Sequence, residues 1–381
     1  MLFTLEALQA KHGDSLLLHY GKASAPKLIV IDGGPAGVYN SSLRPRLEEL
    51  KESRSPNAPL SIRMLMVSHL DDDHVNGVLA FLDDLVEKQN DNEELPYDVL
   101  TLWNNTFDDI IGNDADELLK ALNSGKSKKG ASASSFSPGG AVAASVPQGR
   151  DVRNNAKVLA IGINDPFGGL VATPAKGKKT VAIGDGLKFT VLGPVEERVE
   201  KLQEEWNKVI LKKGLATDKK GKAIAQAFVD ESVFNLSSIV VLAEAGKKRI
   251  LLTGDSRGDD VLNALKSSGL LKAGKFHVDI LKLPHHGSDR NVATEFFRSI
   301  TADHYVVSAD GRFGNPEIST LQMISDARGN DKFTIHLTNQ EKRLDKFFAS
   351  EKSKGKKYDV VFRDPKELSL WVDLGDESLE D

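Results

Sequence analysis

Two histidines and three aspartates fall within six residues, His69-Leu70-Asp71-Asp72-Asp73-His74. Adjacent carboxylates repel one another, and a half-buried carboxylate needs a cationic partner to stay ionised. A divalent metal, or two, is the simplest such partner. Two further stretches carry the same residue types, Thr253-Gly254-Asp255 and Pro284-His285-His286-Gly287-Ser288. Each alone is a weak signal, because Gly-Asp after a strand is more often a turn and paired histidines before Gly-Ser could be a capped loop. Together they describe imidazoles and carboxylates converging from separate strand ends, which suits two borderline-hard divalent ions. The chain has no cysteine, so disulfides, thiolate ligands and cysteine nucleophiles are excluded, and metal donors must be His, Asp, Glu or Asn.

The elements that position these residues follow from apolar spacing. Ile62 to Val67 reads as a strand that feeds the first cluster. Val75, Val78, Leu79, Leu82 and Leu85 then form one helical stripe, placing His74 at a helix entrance. Strand-like stretches precede it at Leu2 to Leu8, Ser15 to Tyr20 and Lys27 to Ile31, with a turn at Lys11 to Asp14 and a helix from Ser42 behind a Ser cap. Asp32, before Gly33-Gly34-Pro35, is either a turn residue or the lining of a pocket. Further strands are expected at Asp98 to Trp103, Val158 to Ile161, Thr180 to Ile183, Leu187 to Leu192, Leu236 to Leu242, Arg249 to Leu252, Val278 to Leu283, His304 to Val307, Phe333 to Leu337, Tyr358 to Phe362 and Leu368 to Val372. Helices are expected from about Asp114 to Asn123, from Pro194 to about Gly214, and around Val261, Phe296 and Leu321. Ser124 to Arg150, rich in Gly, Ser, Ala and Lys, reads as a solvated mobile insertion, with a substrate-clamping lid as the sharper alternative. His12, His19, His277, His304 and His336 lie without ligand-type company and read as structural.

With 381 residues, 40 % of them apolar and 28 % charged, the chain can bury a sizeable core. Its formal net charge of −5 advertises neither nucleic acid nor an anionic membrane. Any phosphate contact would have to be local, and the lysine runs Lys126 to Lys129 and Lys219 to Lys222 are where it is expected. The N-terminus has no basic region followed by a long apolar stretch, and nothing approaches the ~18 apolar residues that span a bilayer. The expectation is a soluble, cytoplasmic protein with no membrane partner.

The three clusters, with Gly13-Asp14, Asp32-Gly33-Gly34, Leu192-Gly193-Pro194 and Asn235-Leu236-Ser237-Ser238, resemble the metallo-β-lactamase fold superfamily. Within it, the chain is most similar to the soluble hydrolase domain of the ComEC-type DNA-uptake proteins. The resemblance implies an α/β fold, an αββα sandwich with metals at one edge. It covers residues 1–381 as a single domain, with insertions at about 124–150 and 195–230. Carried over by position, it implies that His69 and Asp71 hold a first metal and Asp73 and His74 a second. Asp255 would bridge the two, and His285 or His286 would complete the second site. Two departures stand out: Asp71 replaces the usual His, and no His occurs from Val75 to Gly254. A third is Asn315, which precedes Pro316 where relatives often carry His. The first site is therefore short of imidazole and rich in oxygen, which should weaken zinc preference there and favour manganese or magnesium, or leave it partly occupied; for the chain as a whole two divalent ions are expected, zinc or manganese, with magnesium also admissible. The implied activity is hydrolysis of a phosphodiester, nucleic acid among the candidate substrates, with Asp73 and His74 orienting the nucleophile. Hydrolysis of a carboxylic ester, thioester or lactone, or a non-catalytic partner-binding module, are the alternatives.

Overall fold

The computed structural model describes residues 1–106, 108–109, 138–201, 203–204 and 238–377. Its organising feature is a pair of mixed sheets, each antiparallel over one half and parallel over the other. The first contains β1 (Leu2–Leu8), β2 (Leu16–Lys22), β3 (Ala25–Ile31), β5 (Met64–Met66), β7 (Thr101–Trp103), β8 (Gly162–Ile163) and β17 (Ser369–Asp373), in the order β17-β1-β2-β3-β5-β7-β8. The second contains β9 (Lys179–Gly184), β10 (Leu187–Gly193), β11 (Val240–Ala245), β12 (Lys248–Leu252), β13 (Phe276–Lys282), β14 (Ile300–Val307), β15 (Thr334–Leu337) and β16 (Asp359–Phe362), ordered from β16 down to β9. β3, β5, β7 and β8 run parallel, as do β12 through β16. Parallel neighbours need crossovers, and helices supply them.

Three apolar cores separate four layers. Between the sheets, Phe3, Leu18, Met66 and Trp103 meet Phe189, Val241, Ile250, Ile280 and Val306. Outside the first sheet, α1 (Arg44–Arg54), α2 (Asp72–Asn90) and the helix Pro138–Val158 bury Leu47, Val75, Val78, Phe81, Leu82, Val152 and Ala156. Outside the second, the helices Gly258–Ser267, Thr294–Ser299, Ile318–Arg328 and Lys342–Ser353 bury Val261, Leu265, Phe297, Leu321 and Leu344. This is the αββα sandwich expected from the sequence.

The entrance of α2 is pinned from two sides. Gly33 N–H donates to His74 O (2.8 Å), Gly77 N–H to Gly34 O (2.9 Å), and Asp14 N–H to Asp73 O (3.2 Å). A Cβ at Gly77 would collide with the Gly33 carbonyl, and one at Gly13 with that of Asp73. Glycine at these positions lets three backbone segments meet where the ligand-type residues begin.

Several sequence expectations change. The single strand Ile62 to Val67 is two, β4 (Leu60–Ile62) and β5, because Arg63 breaks the ladder: its N–H donates to Leu28 O and its Nε to Ile183 O. Asp98 to Trp103 divides likewise into β6 (Tyr97–Val99) and β7, and β4 pairs with β6 in a separate small ribbon. Val158 to Ile161 is not a strand; the helix Pro138–Val158 ends there, Ile161 N–H donates to Ala156 O, and the chain enters the sheet only at Gly162. Residues 138–150, expected in a mobile loop, belong to that helix, which packs closely enough that a Cβ on Gly149 would press on Leu70. Ser42 does not cap α1: a helical turn already runs Tyr39–Leu43, and the Ser42 hydroxyl donates to Gln9 O. Lys342–Ser353 is a helix the sequence reading missed, its buried Leu344 and Phe347 lying among charged neighbours. The expected helix 114–123, the remainder of the loop at 124–137, most of the helix opened by Pro194 and both lysine runs lie outside the described residues. Among the described residues, no helix is long and apolar enough to cross a membrane.

Candidate metal centre

The clustered residues gather at one edge, where parallel strands of both sheets end. β5 leads to Ser68 and His69, α2 begins at Asp72, β12 leads to Asp255, and β13 runs into a turn holding His285 and His286. Four imidazoles meet there in one orientation, Nδ1 outward and Nε2 inward. His74 Nδ1 donates to Asp32 Oδ2 (2.8 Å), His69 Nδ1 to Ser68 Oγ (3.1 Å), His285 Nδ1 to Asn291 Oδ1 (2.9 Å) and His286 Nδ1 to Ser308 O (3.0 Å). Fixing the outer nitrogen in this way directs the inner lone pair at a ligand.

The inner atoms form two overlapping groups around Asp255. In one, His74 Nε2 lies 3.2 Å from His286 Nε2 and 3.4 Å from Asp255 Oδ1, while His286 Nε2 is 3.4 Å from Asp73 Oδ2 and 3.6 Å from Asp255 Oδ2. In the other, His69 Nε2 is 3.4 Å from Asp71 Oδ2 and 3.7 Å from Asp255 Oδ2, and His285 Nε2 is also 3.7 Å from Asp255 Oδ2. Tetrahedral ligands with metal bonds of ~2.0–2.1 Å stand ~3.3–3.4 Å apart, so the group of His74, Asp73, His286 and Asp255 has nearly the spacing of a coordination shell. His69 Nε2, Asp71 Oδ1 and Asp255 Oδ1 are moreover buried without hydrogen-bond partners. Buried polar atoms are normally satisfied, and their convergence here fits bound cations. The residues present fit a bound divalent cation.

All seven candidate ligands of the sequence reading, His69, Asp71, Asp73, His74, Asp255, His285 and His286, come together. The two neighbouring histidines diverge, His286 Nε2 facing His74 and Asp73 and His285 Nε2 facing Asp255 Oδ2. That divergence is enforced by backbone: His285 and His286 take φ of 48° and 54°, left-handed values that a β-carbon disfavours. Consecutive left-handed residues splay two adjacent side chains apart, a strain of the kind found at functional sites. His285 thereby brings a further imidazole to 3.7 Å from Asp255 Oδ2, as close as His69 stands. Asn315 Nδ2 approaches the His285 carbonyl, at 3.5 Å.

No protein-family model matches the chain, and no curated protein matches it. Among solved structures, the zinc-bound PqqB from Methylobacterium extorquens aligns with 97 % of this chain and 100 % of its own, at 12 % identity and a TM-score of 0.41. A mutant of the CmlA beta-hydroxylase aligns with 97 % of this chain and 54 % of its own, at 10 % identity and a TM-score of 0.38. At these scores neither neighbour bears on what the centre does.

Three residues outside the expected set complete the surroundings. Asp32, one of whose readings was pocket lining, accepts from Ser68 N–H (2.7 Å), Ser68 Oγ (2.6 Å) and His74 Nδ1, so it orients His74 from behind. Asp14 lies 3.3 Å from His286 Nδ1 and accepts from Lys282 Nζ at 2.6 Å. It groups with His74, Asp255 and His286, but its place on the outer side of His286 makes it a support for that ring. His12, read as structural, lines the cleft in front of Asp71 and Asp73. Asp14 carries a sequence signal in the Gly13-Asp14 pair of the family resemblance, and a signal that could have found Lys282 is a lysine at the end of the apolar strand that leads into Pro284.

Charge in the centre is tightly balanced. Burial alone would push Asp73 and Asp255 up, but His74 and His286 draw Asp73 down to about 2, and all four imidazoles hold Asp255 well below the carboxylate range. Burial alone would depress His74 and His286. The carboxylates of Asp255, Asp32 and Asp73 instead raise His74 well above its usual value, and Asp255, Asp14 and Asp73 raise His286 to about 10. The carboxylates thus favour the protonated form of these rings in the metal-free protein, and a proton held at Nε2 must leave before that nitrogen can bind a cation. Titrating metal-free protein with zinc at pH 7 should release protons from this pair of rings, and apparent affinity should rise with pH through the neutral range. Calorimetry in buffers of different ionisation enthalpy measures this; buffer-independent heats would show that the rings are already neutral.

Proposed function

We propose that this protein is a metal-dependent hydrolase of phosphodiesters. The observation that carries the reading is the arrangement of the four imidazoles, each anchored at Nδ1 and aimed at Nε2 toward a shared Asp255. His69, Asp71 and His285 would hold one ion, His74, Asp73 and His286 a second, and Asp255 would serve both. Such a pair supplies an activated water at neutral pH and offsets the charge that builds on a displaced phosphoryl oxygen. The chain's part is positional. Asp32 and Ser308 fix the rings of His74 and His286, and Asp73, partly exposed, is placed to orient a nucleophile from the cleft side. The motif resemblance to the DNA-uptake hydrolases supports phosphodiesters over acyl substrates.

The non-catalytic alternative draws on the missing histidine and the two long insertions, and metal content separates it, since a degenerate site should hold fewer than one ion per chain. The acyl alternative shares the centre and is separated only by substrates. With zinc or manganese, the full chain should hold about two ions and cleave bis-para-nitrophenyl phosphate faster than para-nitrophenyl acetate. Asp73→Ala should keep one ion and lose most phosphodiester turnover. A wild-type chain that binds two ions and cleaves only the acyl ester would replace this reading with the acyl one.

A further inference from the structure

A groove of about 670 Å³ lies on the outer face of the first sheet, between α1 and β17, and shares no residue with the cleft at the metal centre. Ser24, Pro26, Arg46, Arg54, Lys366 and Trp371 are among its walls. We propose that this groove is a second ligand site, which takes the phosphate group of a small molecule against the guanidinium of Arg54 and the ammonium of Lys366. The inference is independent of the hydrolase reading.

Beneath the groove the strands carry polar side chains where their neighbours carry leucine. Leu8 of β1 and Leu17 of β2 join the outer apolar core, yet Glu6 and His19, on the same face of the same strands, are also wholly buried. Glu6 is fully engaged: it accepts from His19 Nε2 (2.7 Å), Arg46 Nε (2.7 Å) and Ser369 Oγ (2.6 Å). Arg54 Nη2 stands 2.9 Å from His19 Nδ1. A guanidinium can only donate, so Nδ1 accepts, the ring proton sits on Nε2, and His19 is neutral. Burial, which lowers the His19 pKa, favours the same state. Arg54 is therefore a cation resting on a neutral ring. Its Nη1 is buried with no hydrogen-bond partner, a condition rare for a buried donor. Burial draws the guanidinium down to about 10, which leaves it charged at neutral pH.

No carboxylate of the protein supplies the missing counter-charge. Arg46 takes up both Glu6 and Glu49, each at 2.7 Å, and lies over the Trp371 ring at 4.8 Å from its centroid. Glu367 stands exposed at the rim, where solvent and salt screen it. Among the described residues, neither Arg54 nor Lys366 has a carboxylate within ion-pair distance. Trp371 stacks on His19 with ring centroids 5.4 Å apart, so the wall, the buried network and Arg54 form one connected unit. A phosphate matches this arrangement, because its oxygens can meet the planar guanidinium, the ammonium and the Ser24 hydroxyl together. The volume exceeds what a bare phosphate fills and falls in the range of small-molecule sites, and Pro26 and Leu50 give an attached organic body apolar surface.

The test is calorimetric titration with inorganic phosphate and with phenyl phosphate. It uses the zinc-loaded full chain and Asp255→Asn, in which a bridging metal ligand is removed. Phosphate binding should persist in Asp255→Asn. In that background Arg54→Gln should weaken it at least ~10-fold, the loss expected of a charge-assisted hydrogen bond, and Arg54→Lys should recover part of the affinity. Lys366→Gln touches no buried partner and should weaken binding roughly twofold to fourfold; it decides the matter if Arg54→Gln fails to fold. Tighter binding of phenyl phosphate assigns the groove to phosphomonoesters, equal binding assigns it to free phosphate, and either result supports the site. Loss of all phosphate binding in Asp255→Asn, or binding that Arg54→Gln and Lys366→Gln both leave intact, overturns it and leaves the hydrolase reading untouched.

Discussion

Asp255→Asn should empty both metal positions together, lowering the metal content from about two ions per chain to fewer than one, and should cut phosphodiester kcat/KM by at least ~1,000-fold, as expected for a group whose loss dismantles a working unit. The reason is geometric. Asp255 Oδ2 is 3.7 Å from His69 Nε2, 3.7 Å from His285 Nε2 and 3.6 Å from His286 Nε2, and its Oδ1 is 3.4 Å from His74 Nε2. No other carboxylate among the described residues approaches all four rings. Asp71→Asn and Asp73→Asn, by contrast, each touch one group and should cost one ion each. Asparagine keeps the shape, so the fold should survive, as far-ultraviolet circular dichroism would show. Retention of two ions in Asp255→Asn would mean that the groups do not share a bridging ligand, and the dinuclear reading would fail with it.

How far this centre was legible in the sequence follows from where its residues lie along the chain. His69 to His74 announce themselves because five ligand-type side chains crowd the start of one helix, and Asp255 and His285-His286 because each ends an apolar strand. The divergence of His285 and His286 was not legible, since it depends on backbone angles of the turn rather than on residue types. Nor was the place of Asp14: it stands alone in a short turn, and only the closure of the two sheets brings it to Lys282 and His286. The layers were readable from apolar spacing. The breaks at Arg63 and Leu100 were not, because a strand that changes partners keeps the same apolar pattern on both sides of the change. The helix Lys342–Ser353 escaped for the opposite reason, its apolar stripe being thinned by lysines, and the helix Pro138–Val158 because glycine, alanine and serine read alike in a loop and in a close helix contact.

Lys282→Met carries the largest expected effect on stability. Lys282 and Asp14 are both 1 % exposed and 2.6 Å apart, with the ammonium also donating to Leu283 O (3.2 Å). A pair of this kind gains little over an apolar pair of the same volume, but removing one partner strands a buried charge at a cost of about 3–5 kcal/mol. Chemical denaturation of the metal-free protein should show that loss at pH 7. Burial opposes ionisation of Asp14, yet Lys282 and His286 outweigh it and hold the carboxyl below its ordinary range. An acid held low in the folded state contributes stability that is complete above its unfolded pKa of ~3.9 and disappears as the pH falls through the folded value. Without Lys282 the carboxyl titrates higher, so the penalty of Lys282→Met should shrink as the pH is lowered from 7 toward 4. Combining Asp14→Asn with Lys282→Met removes both charges and should recover part of the loss at pH 7, while freeing His286 and weakening metal binding by roughly 10- to 100-fold, the usual effect of losing a residue that supports a ligand. A single Lys282→Met variant as stable as wild type at pH 7 would show that Asp14 is not held as a buried anion, and its support of His286 would then have to be given up.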